Sequence, residues 1–217
     1  MLFRDRVDAG RQLGKQLLRY MDRPDVIVLA LPRGGVPIGA EVARDLNCPL
    51  DIFLVRKLGV PNREELAMGA IASGDVRVLN EEVINALGIT AEEIEEVARN
   101  EVSELQRREK LYRSDRPMPD LNGRTVILVD DGLATGSTMK AAVQAVRKLG
   151  PARVVVAVPV GASDTCDAMD QIADEAVCAR TPEPFMGVGM WYQDFSQTTD
   201  EEVCELLREF STHPASA

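Results

Sequence analysis

The residues best suited to chemistry lie in one short stretch, Val126-Ile127-Leu128-Val129-Asp130-Asp131-Gly132-Leu133-Ala134-Thr135-Gly136-Ser137-Thr138. Four apolar residues mark a buried strand, and two carboxylates emerge together at its end. Small residues and hydroxyls follow and run straight into a helical pattern. Adjacent carboxylates can accept hydrogen bonds from neighbouring sugar hydroxyls and can help hold a hydrated Mg²⁺. A helix start offers unpaired N–H groups and the positive end of its dipole to an anion. Gly136 lets the backbone wrap closely around a phosphate, and Thr135, Ser137 and Thr138 add hydroxyl donors. Together these features suit a phosphorylated sugar. The stretch is not a P-loop, because the GxxxxGK[ST] spacing is missing and no Lys precedes Ser137; nor is it a GxGxxG dinucleotide loop.

Two other loops carry cations at strand ends. In Leu31-Pro32-Arg33-Gly34-Gly35-Val36, two glycines allow backbone N–H groups to face an anion, and Arg33 brings charge. Val55-Arg56-Lys57 closes another apolar run. Adjacent strand residues point to opposite faces. Arg56 and Lys57 can therefore serve one anion only if the strand breaks at Lys57.

The elements that must position these loops alternate. Apolar residues Val7, Leu13, Leu17, Leu18 and Met21 fit one helical face. Continuous apolar runs at 26–31, 52–55, 125–129 and 153–158 suit buried parallel strands, with shorter strands near 76–79 and 176–179. Helices are predicted over about 37–46, 90–112, 137–149, 163–172 and 200–210. In the second of these, Thr90 and Glu93 form a capping box, Ile94, Ala98, Val102 and Leu105 line one face, and Glu95–Arg99 and Glu104–Arg108 are favourable pairs. Residues 57–75 read as a mobile loop holding a short strand near Ala70-Ile71-Ala72. Arg107, Arg108, Lys110, Arg113 and Arg116 read as a helix end and its solvated exit. The expected architecture is α/β: a parallel twisted sheet flanked by helices, with ligands at the carboxyl ends of strands. It is expected as a single domain over 1–210, with a flexible tail at 211–217.

Bulk properties exclude several classes. The 217 residues carry a formal net charge of −10, which repels nucleic acid phosphates and anionic membranes. A polyphosphate ligand must then be held by local groups. No charged-then-apolar leader opens the chain and no run approaches membrane-spanning length. Cys48, Cys166, Cys178 and Cys204 are scattered and read as reduced thiols. A cytoplasmic location is expected from these features. The one histidine, His213, lies in the tail, so histidine-based catalysis and histidine-rich zinc sites are poor readings.

The Asp130–Thr138 segment resembles the signature of the type I phosphoribosyltransferases, most nearly those whose acceptor is unassigned. The resemblance implies that Asp130 and Asp131 contact ribose hydroxyls and help hold Mg²⁺ indirectly, the ion resting mainly on the donor. It implies that Ala134, Thr135, Gly136, Ser137 and Thr138 hold the 5′-phosphate of phosphoribosyl pyrophosphate. Arg33, Gly34 and Gly35 stand where the family keeps its pyrophosphate loop, often with a cis peptide. Arg56 and Lys57 resemble the cation pair near pyrophosphate, and residues 58–74 occupy the place of a flexible catalytic loop. A hood at about 180–197 would meet a small nitrogenous acceptor, with Trp191 or Tyr192 able to stack on a base or to pack the hood onto the core. The implied reaction is phosphoribosyl transfer with release of Mg-pyrophosphate; the alternative is a non-catalytic regulator that only binds the donor. Homodimers are common in such families. One departure stands out: Ala134 occupies the place where 6-oxopurine enzymes carry an acid, so no general base is visible.

Overall fold

The structure is a computed structural model that describes residues 1–114 and 116–211. Its elements are α1 (Arg6–Gln16), β1 (Val26–Ala30), α2 (Gly35–Leu46), β2 (Leu50–Ile52), β3 (Val55–Val60), β4 (Arg63–Ala72), β5 (Val76–Leu79), α3 (Glu81–Leu87) and α4 (Ala91–Arg113), followed by β6 (Thr125–Val129), α5 (Ser137–Arg147), β7 (Arg153–Val160), α6 (Ser163–Asp170), β8 (Glu175–Arg180) and α7 (Asp200–Ser211). Five strands form a sheet in the order β2-β1-β6-β7-β8, every pair parallel. A separate antiparallel sheet has the order β3-β4-β5.

The continuous apolar runs are explained by burial on both faces. Alternate side chains of each strand go to opposite sides. Val28, Ala30, Ile127, Val129, Val155 and Ala157 join a core built with α1, α2, α4 and α7. Ile27, Leu29, Val126, Leu128, Val154 and Val156 join a second core against α5 and α6. Each fully buried Val, Leu or Ile contributes about 1.5–3 kcal/mol relative to exposure, so this alternation anchors the strands that carry the loops.

Strand order also locates the working end. From β1 the chain crosses through α2 to β2 on one side, and β6 lies on the other side of β1. The carboxyl ends of β1 and β6 therefore flank a topological switch point, where open α/β sheets bind ligands. Helix ends follow local chemistry. The Thr90–Glu93 capping box is present, and Thr199 and Glu202 make reciprocal bonds at the start of α7. Among the described residues no helix is long and apolar enough to cross a membrane.

Several expectations need correction. Residues 57–75 are not an open loop: β3 and β4 form an antiparallel hairpin interrupted by register shifts near Gly59, with β5 beside it. The run 52–55 divides between two sheets, because the chain leaves the main sheet after Ile52 and enters β3 at Val55. In α1 the inward face is Ala9, Gly10, Leu13 and Gly14, while Val7, Leu18 and Met21 are exposed. Glu104 pairs with Arg108, but Glu95 pairs with Arg77 of β5.

Arg113 is not solvated. It is buried, donates to Asp51 at 3.1 Å and caps the Ile52 carbonyl of β2. Burial still pushes Asp51 above the usual carboxylate range, with Arg113 opposing. Cys166 and Cys178 form a disulfide between α6 and β8, leaving Cys48 and Cys204 as free thiols. That bond removes one ground for expecting a reducing compartment. Of the tail at 211–217, Ser211 closes α7; residues 212–217, His213 included, lie outside the described residues.

Candidate functional site

The loops after β1 and β6 touch. Leu31 N–H donates to the Val129 carbonyl at 2.8 Å, carrying the pairing of β1 and β6 one residue past Ala30. The chain then turns through a cis Pro32–Arg33 peptide into α2. Gly34 has an ordinary helical φ of −59°, so conformational freedom is not what requires glycine there. Proximity is: a Cβ on Gly34 would lie 2.0 Å from Asp131 Oδ2, and one on Gly35 would lie 2.6 Å from the Val129 carbonyl oxygen. The two glycines let the β1 loop lie against the paired acids.

The acids themselves are firmly placed. Asp130 Oδ1 accepts the Asp131 N–H at 2.8 Å. Asp131 Oδ2 accepts two bonds from Arg6, from Nε at 3.1 Å and from Nη2 at 2.8 Å. Burial, reinforced by the neighbouring Asp131 charge, pushes Asp130 well above the usual carboxylate range. Burial also raises Asp131, but the Arg6 guanidinium opposes it. The neutral form of each acid is favoured by desolvation and the charged form by Arg6.

Beyond the acids, Leu133 bridges to Gly161 at the end of β7, and Thr165 of α6 donates to the Ala134 carbonyl at 2.7 Å. Gly136 takes φ +68°, the left-handed region that favours glycine, and turns the chain into α5. No side chain caps α5, so its first N–H groups remain available to an anion. Ala134, Thr135, Ser137 and Thr138 are exposed around them, with Thr135 and Ser137 hydroxyls 3.2 Å apart.

The remaining predicted residues are placed less uniformly. Arg33 lies 3.6 Å from Asp200 at the start of α7. Arg56 and Lys57 both lie within β3, which continues past Lys57, so the strand does not break there. Arg56 is paired with Glu101 of α4 at 2.6 Å. Lys57 is exposed and separates two clefts. One, of about 540 Å³, is lined by Lys57, Ser137 and Lys140. The other, of about 560 Å³, is lined by Arg56, Lys57, Glu101 and Thr138. Lys57 lines both clefts, with Ser137 in one and Thr138 in the other.

In the 181–199 segment, Tyr192 is buried between Phe3, at 5.4 Å, and Phe195, at 5.0 Å between ring centroids. Its hydroxyl donates to the Asp131 carbonyl at 2.7 Å. Of the two readings of Tyr192, stacking on a base or packing the hood onto the core, the observed contacts are those of packing. Trp191 is half-buried, and its carbonyl accepts the Phe3 N–H at 2.8 Å.

Sequence reasoning missed Arg6 and Phe3. Neither carries a local signal: Arg6 stands 125 residues before its partner Asp131. Only its place one residue after the capping Asp5 marks it as the start of a helix.

A model of the phosphoribosyl transferase domain family matches residues 3–182. Over 206 residues the chain is 48% identical to proteins provisionally named phosphoribosyl transferase in two strains of Mycobacterium tuberculosis, covering 95% of this chain and 46% of theirs. The chain therefore spans about half the length of these curated relatives. A stretch of 50 residues, 23% of this chain and 27% of the other, is 48% identical to the bifunctional protein PyrR of Chloroflexus aurantiacus. The crystal structure of TT1426 from Thermus thermophilus superposes with a TM-score of 0.87 at 41% identity, over 97% of this chain and 99% of that one. The family match covers both strand-end loops and the whole five-stranded sheet. The chain belongs to the phosphoribosyl transferase domain family.

Proposed function

We propose that this chain moves the 5-phosphoribosyl group from phosphoribosyl pyrophosphate to a nitrogenous acceptor of the nucleobase class. The observation that carries the reading is the contact between two strand-end loops at the switch point: Gly34 lies against Asp131 while α5 begins uncapped beyond it. Asp130 and Asp131 would orient the ribose through its hydroxyls. The 134–138 loop and the start of α5 would hold the 5′-phosphate. Arg33, Lys57 and the Gly34–Gly35 backbone would offset the charge of the leaving pyrophosphate. Catalysis would rest on orientation and on charge stabilisation at the leaving group.

The residues present fit Mg²⁺ as a passenger of the donor. Two carboxylates share one strand end, one of them already bonded to Arg6. Among the described residues no group of three or more His, Cys, Asp or Glu side chains could hold a metal ion. Carried on the donor, Mg²⁺ would neutralise part of the pyrophosphate charge.

Incubation with donor, Mg²⁺ and a panel of nucleobases and related amines tests the reading. Pyrophosphate release that depends on one acceptor is the expected result. Tight donor binding without turnover under any acceptor would shift the reading to a donor-binding regulator, and the absence of binding heat would end both.

A further inference from the structure

Arg6 touches both halves of the proposed site. Its Nε and Nη2 donate to Asp131 Oδ2 at 3.1 and 2.8 Å, while Nη1 donates to the Ser196 carbonyl at 2.6 Å. The guanidinium carbon lies 4.1 Å from the centre of the Phe195 ring. Ser196 and Phe195 belong to the hood, and Asp131 belongs to the end of β6. The Arg6 side chain is only 12% exposed, so the fork is enclosed.

A guanidinium is planar and its donors keep a fixed geometry. It cannot follow a rotation of Asp131 and also keep its bond to Ser196 and its stacking on Phe195 unchanged. A Cβ on Gly34 would lie 2.0 Å from Asp131 Oδ2 and 3.3 Å from Arg6 Nε, so the β1 loop packs closely against this pair. Both Arg6 bonds go to Oδ2, so a sugar hydroxyl that engages Oδ1, or shares Oδ2, loads the same carboxylate that Arg6 grips. Phe195 in turn packs on Tyr192, and Trp191 packs against the apolar cluster that contains Tyr192.

We infer that Arg6 is a positioning residue that couples occupancy of the Asp131 carboxylate by a sugar hydroxyl to the placement of the hood. The inference rests on the donor reading above. It adds that the acceptor side is set by the donor through one side chain of α1.

Trp191 is the sole tryptophan, so its emission reports on the hood directly. The test titrates the intact protein with phosphoribosyl pyrophosphate and Mg²⁺, following binding heat and Trp191 emission together. Inorganic phosphate serves as a ligand for the loop that lacks the sugar. In the unaltered protein the donor should give both heat and an emission change, whereas inorganic phosphate should leave emission unmoved. Arg6→Gln should still bind the donor, about tenfold more weakly for the loss of a charged hydrogen-bond donor. At saturation its emission change should be largely lost.

A full emission change in saturated Arg6→Gln would overturn the inference. So would donor heat without any emission change in the unaltered protein, or an equal change with inorganic phosphate. No donor heat in the unaltered protein would defeat the donor reading itself, and the inference with it. Should Arg6→Gln fail to fold, Arg6→Lys carries the same test, because it keeps the charge but loses the planar fork that reaches Asp131 and Ser196 together. Donor heat with a diminished emission change would then support the coupling, and an intact change would refute it.

Discussion

Gly34, Asp130 and Asp131 show how much of this site depends on single atoms. The carboxylate of Asp131 fills the space that a Cβ on Gly34 would need, and both acids are held by short-range partners before any ligand arrives. Replacing both acids with asparagine keeps the shape but removes their charge. Asp130→Asn with Asp131→Asn should leave a folded protein whose donor affinity falls by about a hundredfold or more, since each charged hydrogen bond contributes about 1.5–3 kcal/mol. Calorimetry with donor and Mg²⁺ checks this, and unchanged affinity in a folded double variant would remove the site assignment. The two adjacent cations should differ. Lys57 is exposed and lines both clefts beside the start of α5, while Arg56 lines one of them and is paired with Glu101. Lys57→Ala should weaken donor binding by about tenfold, the scale of one charge-assisted contact, and Arg56→Ala by clearly less. Equal losses would place Arg56 at the anion as well.

At the scale of elements, α4 and β2 are joined by a buried ion pair. Arg113 satisfies Asp51 and the Ile52 carbonyl where the main sheet ends and the chain departs for the hairpin. Removing one partner of such a pair leaves the other charge buried without compensation, which costs about 3–5 kcal/mol. Arg113→Met should lower unfolding free energy by that amount in urea titration. A loss below about 1 kcal/mol, the range of exposed pairs, would mean that water reaches Asp51. The hairpin of β3 and β4 behaves as a different kind of element. It pairs outside the main sheet and carries Lys57 beside the clefts.

For the whole molecule, two cores lie on either face of the five-stranded sheet, and buried side chains of β3 and β4 join them from outside that sheet. Amides of β1, β6 and β7 should exchange with solvent only on global opening, whereas those of β3 and β4 should exchange through local opening. Donor and Mg²⁺ should slow exchange in the hairpin most. Hydrogen exchange resolved by segment checks both statements, and hairpin protection equal to that of β6 would contradict the first. The formal charge of −10 sets a second constraint. The overall field opposes an anionic ligand, so affinity for the proposed donor would have to come from the few groups at the switch point.

What could be learned from sequence alone was whatever neighbouring residues encode together. Continuous apolar runs marked the parallel strands, the Thr90–Glu93 box marked the start of α4, and the acids followed by small and hydroxyl residues marked a strand-to-helix loop at a sheet's working end. These signals lie within a few residues of each other, where backbone geometry and side-chain period act directly. Tertiary structure alone decided that Arg6 reaches Asp131, that Arg113 is buried on Asp51, that Cys166 meets Cys178, and that Tyr192 is an anchor. It also turned residues 57–75 into a hairpin rather than a loop. Arg6 and Asp131, or Arg113 and Asp51, are brought together by strand order and helix packing across long separations. No local period or turn preference carries that information, because the same arginine on the same helix would be a solvated charge if the sheet were ordered differently.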